Sequence, residues 1–365
     1  MKQRKMPELK IGDLAMKVPI IQGGMAVGIS LSGLASAVAN AGGAGVIATA
    51  GIGMMEPDFN TDFKQANQRA LRKEIRKARA ATDGVIGINI MVALSDFQDM
   101  VRISIEEKAD MVLLGAGLPL RGLDSLIPKN KGERKPKVIP IVSSSRAAKL
   151  IFQYWKKNYH HIPDAVVLEG PLAGGHLGFK KDQINNPEYS LEKLLPETIA
   201  VLKPFEKEFK KNIPVIAAGG IYTGADIFYY LQMGAQGVQM ATRFVATEEC
   251  DTSHHFKQSY LDCNENDLVI INSPVGLPGR AIKNQFLQEV FEGNKKPFRC
   301  YWKCLKTCDF KTAPYCIASA LTHAQKGDFE NGFAFAGANA YRIKEITTVK
   351  KLVDTLIEEY KSQDK

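Results

Sequence analysis

A closed (β/α)8 barrel of the TIM class, carrying a C-terminal excursion and cap, is the fold that this sequence predicts, and three observations predict it. Eight short aliphatic runs recur between residues 18 and 244, mostly apolar and without alternation, as strands buried on both faces of a parallel sheet are. Amphipathic stretches of helical length separate them. Eight such units in roughly 225 residues suit a closed barrel, typically about 250 residues, better than a doubly wound sheet of five or six strands.

The runs are, in order, Val18–Gln22, Gly45–Thr49, Val85–Met91, Met111–Gly115, Lys137–Val142, Ala165–Glu169, Pro214–Gly220 and Gly237–Phe244. Helices are expected at Phe63–Ala81, Asp96–Lys108, Arg146–Lys157, Leu191–Lys203 and Gly224–Met233, so that strand and helix alternate throughout. No G-x-G-x-x-G joins a first strand to a helix, which argues against a dinucleotide-binding sheet. After Phe244 the rhythm stops. Residues 1–245 are read as the ligand-binding barrel, and 246–365 as an excursion and helical cap that holds Cys300–Cys316 and ends in a helix at Val349–Tyr360.

Hydrophobic residues make up 45% and charged residues 24% of the 365, ordinary for a soluble globular chain, which excludes disorder. The net charge of +9 comes from 48 Lys and Arg against 39 Asp and Glu, scattered in short groups such as Lys129, Lys131, Arg134, Lys135 and Lys137. No aromatic-interleaved basic stripe accompanies them, so no nucleic-acid partner is expected; the surplus reads first as solvated lysines, with anionic ligands as the alternative. The basic start MKQRKMPELK runs into Asp13 and Lys17 where an export signal needs an unbroken apolar stretch, so a cytoplasmic location is expected. Val18 to Met55 carries no charge, but its nine glycines read as buried strands and turns rather than a membrane span.

In such barrels the residues just after each strand build the active site, and the loops after strands 7 and 8 hold phosphate. The seventh run ends Ala218-Gly219-Gly220 and the eighth Met240-Ala241-Thr242-Arg243, where glycine lets backbone N–H groups approach an anion. The sixth leads into Gly174-Gly175-His176, a histidine with no bulky neighbour to pack it. An imidazole of ordinary pKa, about 6.5, serves as acid, base or donor at neutral pH. Gly23 and Gly24, after the first run, leave room for a flat ring, and Asn89 in the third offers donor and acceptor to a heterocycle edge.

The set PIIQGGM, GINI, AGGHLG, IAAGGI and VQMATRF, in this order, resembles the nitronate monooxygenase family, also called 2-nitropropane dioxygenases, which includes enoyl-ACP reductase II. The likeness spans Pro19 to Phe244 and continues in SPVGLPGRAIKN, Ser273 to Asn284. It implies a flavoprotein barrel binding FMN without a covalent bond. Met25 would face the flavin ring, Asn89 its polar edge, and Gly219, Gly220, Ala241 and Thr242 the phosphate. Gln239 would be a further contact, and Gly23, Gly24, Gly174, Gly175, Ala218 and Met240 would complete the cofactor-binding set. His176 would be the catalytic group beside the ring. A nitronate would give an electron to FMN, and O2 would complete its oxidation to carbonyl compound and nitrite, with His176 removing the α-proton of a neutral nitroalkane.

The alternatives are the enoyl-ACP reductase, with NAD(P)H and an enoyl thioester as small-molecule substrates, and a catalytically silent flavin-binding sensor. An IMP-dehydrogenase-type reaction needs a nucleophilic cysteine after strand six, and Gly170 to Gly178 has none. A homodimer and no membrane partner are expected. Two features depart from the family pattern. Leu177 stands where many relatives carry a polar or basic residue. Cys300, Cys304, Cys308 and Cys316 are spaced C-x3-C-x3-C-x7-C. On a continuous helix Cys300 and Cys308 would lie about 12 Å apart along the axis, too far to share a small cluster. Reduced thiols and no metal are therefore expected.

Overall fold

The computed structural model describes residues 5–130 and 132–364. Lys131 of the basic group and the first four residues of the basic start lie outside the described residues. Eight parallel strands close into one barrel: β1 (Ile20–Gln22), β2 (Ala44–Ala48), β3 (Val85–Met91), β4 (Met111–Gly115), β5 (Lys137–Val142), β6 (Val166–Glu169), β7 (Val215–Ala218) and β8 (Gly237–Met240). β8 returns to β1 through the pair Gln239 and Ile21. The eighth strand is shorter than its apolar run, because Thr242 already starts the short helix α7 (Thr242–Val245).

Side chains from alternate strand positions fill the interior. Ile21, Ala44, Val46, Met111, Leu113, Ile139, Val167 and Ile216 point inward, and an N-terminal hairpin (Leu9–Ile11 with Leu14–Met16) plugs that end with Leu9, Ile11 and Met16. The opposite alternation, Ile86, Ile88 and Ile90 on β3 for example, faces the helices. Gly87 and Asn89 therefore face in.

The helical ring consists of α1 (Ser32–Asn40), α2 (Phe63–Ala81), α3 (Phe97–Glu106), α4 (Ser145–Tyr159), α5 (Leu191–Phe209) and α6 (Gly224–Gln232). Asp62 caps α2 by accepting from the Gln65 N–H, and Thr223 and Asp226 form a capping box on α6. Two expectations change. Between β4 and β5 there is no α-helix, only a 3-10 turn at Asp124–Leu126, because Gly117, Pro119, Gly122, Pro128, Gly132 and Pro136 interrupt that stretch. Conversely α5 runs past Lys203 and through Pro204 to Phe209. The lost backbone bond is offset where Phe205 buries against Phe152, ring centroids 5.5 Å apart.

Beyond α7 the chain leaves the ring. Thr247 and Thr347 pair where it departs and returns, and α11 (Val349–Lys361) then packs against α6 and α1. Gly224 admits it: a Cβ there would lie 2.2 Å from the Leu356 carbonyl oxygen. The excursion between carries α8 (His254–Leu261), a hairpin (Leu268–Asn272 with Pro278–Ile282), α9 (Gln285–Phe291) and α10 (Ile317–Gln325). Among the described residues no helix is long and apolar enough to cross a membrane.

Candidate active site

A cavity of about 350 Å³ lies at the C-terminal ends of the strands, and every residue singled out for cofactor or catalysis lines it: Gly23, Gly24, Met25, Asn89, Gly174, Gly175, His176, Ala218, Gly219, Gly220, Gln239, Met240, Ala241 and Thr242. The barrel register accounts for the convergence. Glu169 is level with Ala218, Ala218 with Gln239, and Met240 with Gln22, so the loops that follow open at one height.

The glycines serve two different purposes. A Cβ on Gly24 would fall 2.5 Å from that of Asn89, so this glycine lets Asn89 cross the barrel mouth. Gly219 and Gly220 have φ of +92° and +89°, the region that glycine enters at no steric cost. A Cβ on Gly219 would also strike the Gly170 carbonyl oxygen at 2.7 Å, and one on Gly220 the Leu172 side chain at 2.9 Å. Close chain packing thus requires both, and the turn they make points backbone toward the cavity. Gly175 is different: its added Cβ would meet nothing within 4 Å.

His176 is held from the excursion. The two-residue strand Gly175–His176 pairs antiparallel with Gly279 and Arg280, and His176 Nε2 lies 2.7 Å from the hydroxyl of buried Ser273. Its ring stands edge-on to Phe335, centroids 5.0 Å apart. Burial pushes its pKa down from the ordinary 6.5 to about 4, so the imidazole is neutral at physiological pH rather than poised near it. Buried Arg280 donates from Nη1 to the carbonyls of Pro171 and Ala173, each at 2.7 Å, tying down the loop before the histidine. Leu177 does not face the cavity at all: it is fully buried in the core, its N–H bonded to the Pro278 carbonyl.

Glu169, at the tip of β6, also lines the cavity, and its carboxylate makes no hydrogen bond or ion pair with the described residues. Burial raises its pKa from 4.5 to about 7. Sequence reasoning missed this group, although a lone acid at a barrel strand's C-terminal end was its signal. Ser273 was legible only as part of SPVGLPGRAIKN. Asn339, in the Gly337–Arg342 stretch that the sequence offers as a cover for the barrel, donates to the Gly220 carbonyl at 2.6 Å; Trp302, also from the excursion, had no local signal.

A flavin suits this lining. Gln239 Oε1 is buried without a hydrogen-bond partner, an orphaned acceptor at the cavity wall, and such groups rarely stay unpaired. The amide of Asn89 likewise bonds to none of the described residues. Gly337 N–H donates to Thr242 Oγ1 at 3.1 Å, so the segment 336–339 covers the loops after β7 and β8.

The four clustered cysteines lie in no helix. α9 ends at Phe291 and α10 begins at Ile317, and residues 292–316 between them are irregular, with Gly293, Pro297 and Pro314 as breakers. Lys303 adopts φ of +45°, and Leu305 bridges Leu94. The helical spacing that argued against a shared ligand therefore does not exist in this fold.

The profile of the family described as nitronate monooxygenase matches residues 8–119 and 97–359. A probable nitronate monooxygenase of Staphylococcus haemolyticus is 26% identical over 318 residues, covering 86% of this chain and 79% of that protein. Another, of Staphylococcus saprophyticus, is 29% identical over 231 residues, 63% of this chain and 59% of that protein, so the chain spans less than two thirds of that relative's length. Among solved structures, FabK from Thermotoga maritima superposes with a TM-score of 0.72 at 30% identity, covering 95% of this chain and 94% of that one. A nitroalkane oxidase from Streptomyces ansochromogenes gives 0.71 at 21% identity and 95% coverage of this chain and 97% of that one, a likeness of fold.

Proposed function

This chain belongs to the nitronate monooxygenase family, whose members are oxidoreductases, and from that premise we propose an FMN-dependent nitronate monooxygenase that converts alkyl nitronates and O2 to carbonyl compounds and nitrite. The observation that carries the reading is a neutral, hydrogen-bonded imidazole at the wall of a cavity that also holds an orphaned acceptor, Gln239 Oε1, and the glycine turn after β7. FMN would supply the electron acceptor. Gln239 and Asn89 would hold its ring, and the backbone at Gly219, Gly220, Ala241 and Thr242 its phosphate.

The chain's own task is the proton. In a neutral nitroalkane, Nδ1 of His176, which bonds to none of the described residues, accepts the α-proton, while the Nε2–Ser273 hydrogen bond and the Arg280-tied loop fix the ring's position. The anionic product offsets the cost of a buried imidazolium. A nitronate arrives without that proton and needs no base. His176→Ala should therefore retain FMN yet lose about 10²- to 10⁴-fold in turnover of neutral nitroethane, with much less loss on its nitronate. Equal losses on both, with weakened FMN binding, would leave the histidine only shaping its loop.

The likeness to FabK favours a second reading, enoyl-ACP reductase II. Anaerobic mixing separates the two. NAD(P)H bleaches the bound flavin and an enoyl thioester restores it in the reductase, whereas propionate-3-nitronate bleaches it in the monooxygenase.

A further inference from the structure

We infer, building on the monooxygenase reading, that the cavity selects nitronates with a long neutral alkyl chain, laid on an apolar wall across from His176, and discriminates against those with a second anionic group. Around the barrel the strands follow the order β7, β8, β1, β2, β3, β4, β5, β6, so the loops after β2 and β3 face those after β6 and β7 across the mouth. The two sides differ in chemistry. His176, Glu169 and the glycine turn stand on one side, whereas the other is built by Met54 and Phe59 after β2, Leu94 after β3, and Trp302, Leu305 and Leu321 from the excursion. The excursion is fixed there along its length: Trp302 packs edge-on to Phe59, ring centroids 5.0 Å apart, and Leu305 bridges Leu94. Ser95 N–H donates to the Cys304 carbonyl at 3.0 Å, and Lys306 N–H to the Ala93 carbonyl at 2.9 Å. Such a wall is formed before any ligand arrives.

Charge supplies the other half of the inference. Among the described residues that line the cavity there is no Lys or Arg, while two are acids, Glu169 and Asp96. Asp96 is buried on the apolar side, where Asn67 Nδ2 donates to its carboxylate at 2.8 Å. The cations of the neighbouring loops are engaged elsewhere. Arg243 and Arg342 stack on Tyr222 after β7, 4.6 and 4.3 Å from its ring centroid, at the end proposed for the phosphate. Arg299 and Lys306 stack on Tyr301 and Phe97, neither of which lines the cavity. A carboxylate on the substrate's tail would therefore be desolvated beside an acid and without a counter-ion, whereas each methylene laid on the wall gains by burial. The wall also stays apolar outward: Met55 and Tyr301, next in the chain to Met54 and Trp302, are exposed. The nitronate group is common to every candidate, so the tail is what this side sorts.

The test is a tail series on the full-length, flavin-loaded protein. The nitronates of nitroethane, 1-nitrobutane and 1-nitrohexane are compared with propionate-3-nitronate, and kcat/KM is read for each. It should rise by about threefold to fourfold for each added methylene, and the hexyl nitronate should exceed propionate-3-nitronate by about tenfold or more. Trp302→Ala should flatten the rise, and Asp96→Asn should narrow the gap to propionate-3-nitronate. A second arm needs no turnover: butan-1-ol, octan-1-ol and octanoate are titrated into the same protein by calorimetry. Octan-1-ol should bind more tightly than the other two, even if no nitronate bleaches the flavin, a result that would strike the monooxygenase reading alone. Values of kcat/KM that ignore tail length overturn the inference, as does octanoate bound as tightly as octan-1-ol. So does a Trp302→Ala protein that loses FMN while keeping the rise, since the wall would then serve the flavin. Should the variants fail to fold, the wild-type series decides alone.

Discussion

Two titratable side chains on one cavity wall are displaced in opposite senses from their ordinary values, and stability should record both. His176 has a folded pKa of about 4 against 6.5, so between these values the unfolded chain binds the extra proton. Its contribution is complete above about pH 6.5 and is lost as pH falls toward 4. Glu169, raised from 4.5 to about 7, contributes fully below 4.5 and loses that contribution as pH rises through 7. Glu169→Gln should therefore flatten the fall in stability between pH 4.5 and 7, and His176→Gln the fall between pH 6.5 and 4, in denaturant titrations at each pH. The same two values identify the base. With His176 accepting the proton, the acid limb of kcat/KM on nitroethane lies near 4; a limb near 7 that vanishes in Glu169→Gln would transfer the role to the carboxylate. Ser273→Ala removes the partner of Nε2, and a loss of about 1–3 kcal/mol in stability or barrier, the cost of an unpaired buried group, is expected.

At the scale of elements, small residues decide where helices and loops sit. α1 rests directly on β2, since a Cβ on Gly45 would come within 1.8 Å of the Ala35 carbonyl oxygen. Gly45→Ala should push α1 off the barrel, at a cost of about 3 kcal/mol or more because the obstacle is backbone, read by urea denaturation. Gly220→Val combines a φ of +89° with the Leu172 contact, so a loss of stability should accompany any loss of FMN affinity. Its two effects separate by measuring melting with the flavin removed. If stability is untouched and FMN binding alone falls, the glycine is there for the phosphate.

The whole molecule is a barrel closed by its own C-terminus. α11 fills the ring between α6 and α1, burying Val349, Leu352, Val353 and Leu356. A chain stopped at Thr348 should expose that seam and lose its cooperative transition, and limited proteolysis would then cut within the barrel as well as in the excursion. The sequence by itself determined the eight strands, because strands buried on both faces must be continuously apolar and need no distant partner to reveal them. It also fixed which side of the barrel carries chemistry, since Gly23, His176, Gly219 and Thr242 all follow strand ends. Their meeting in one cavity follows from barrel closure. Only the tertiary structure decided the rest. His176 reads as an exposed, ordinary imidazole until the Pro278–Ile282 strand, Ser273 and Phe335 arrive from about a hundred residues or more away to bury it. Glu169 reads as a strand end until closure sets its half-buried carboxylate in the cavity wall. In each case the deciding term is desolvation or pairing by residues distant in sequence, which local pattern does not encode.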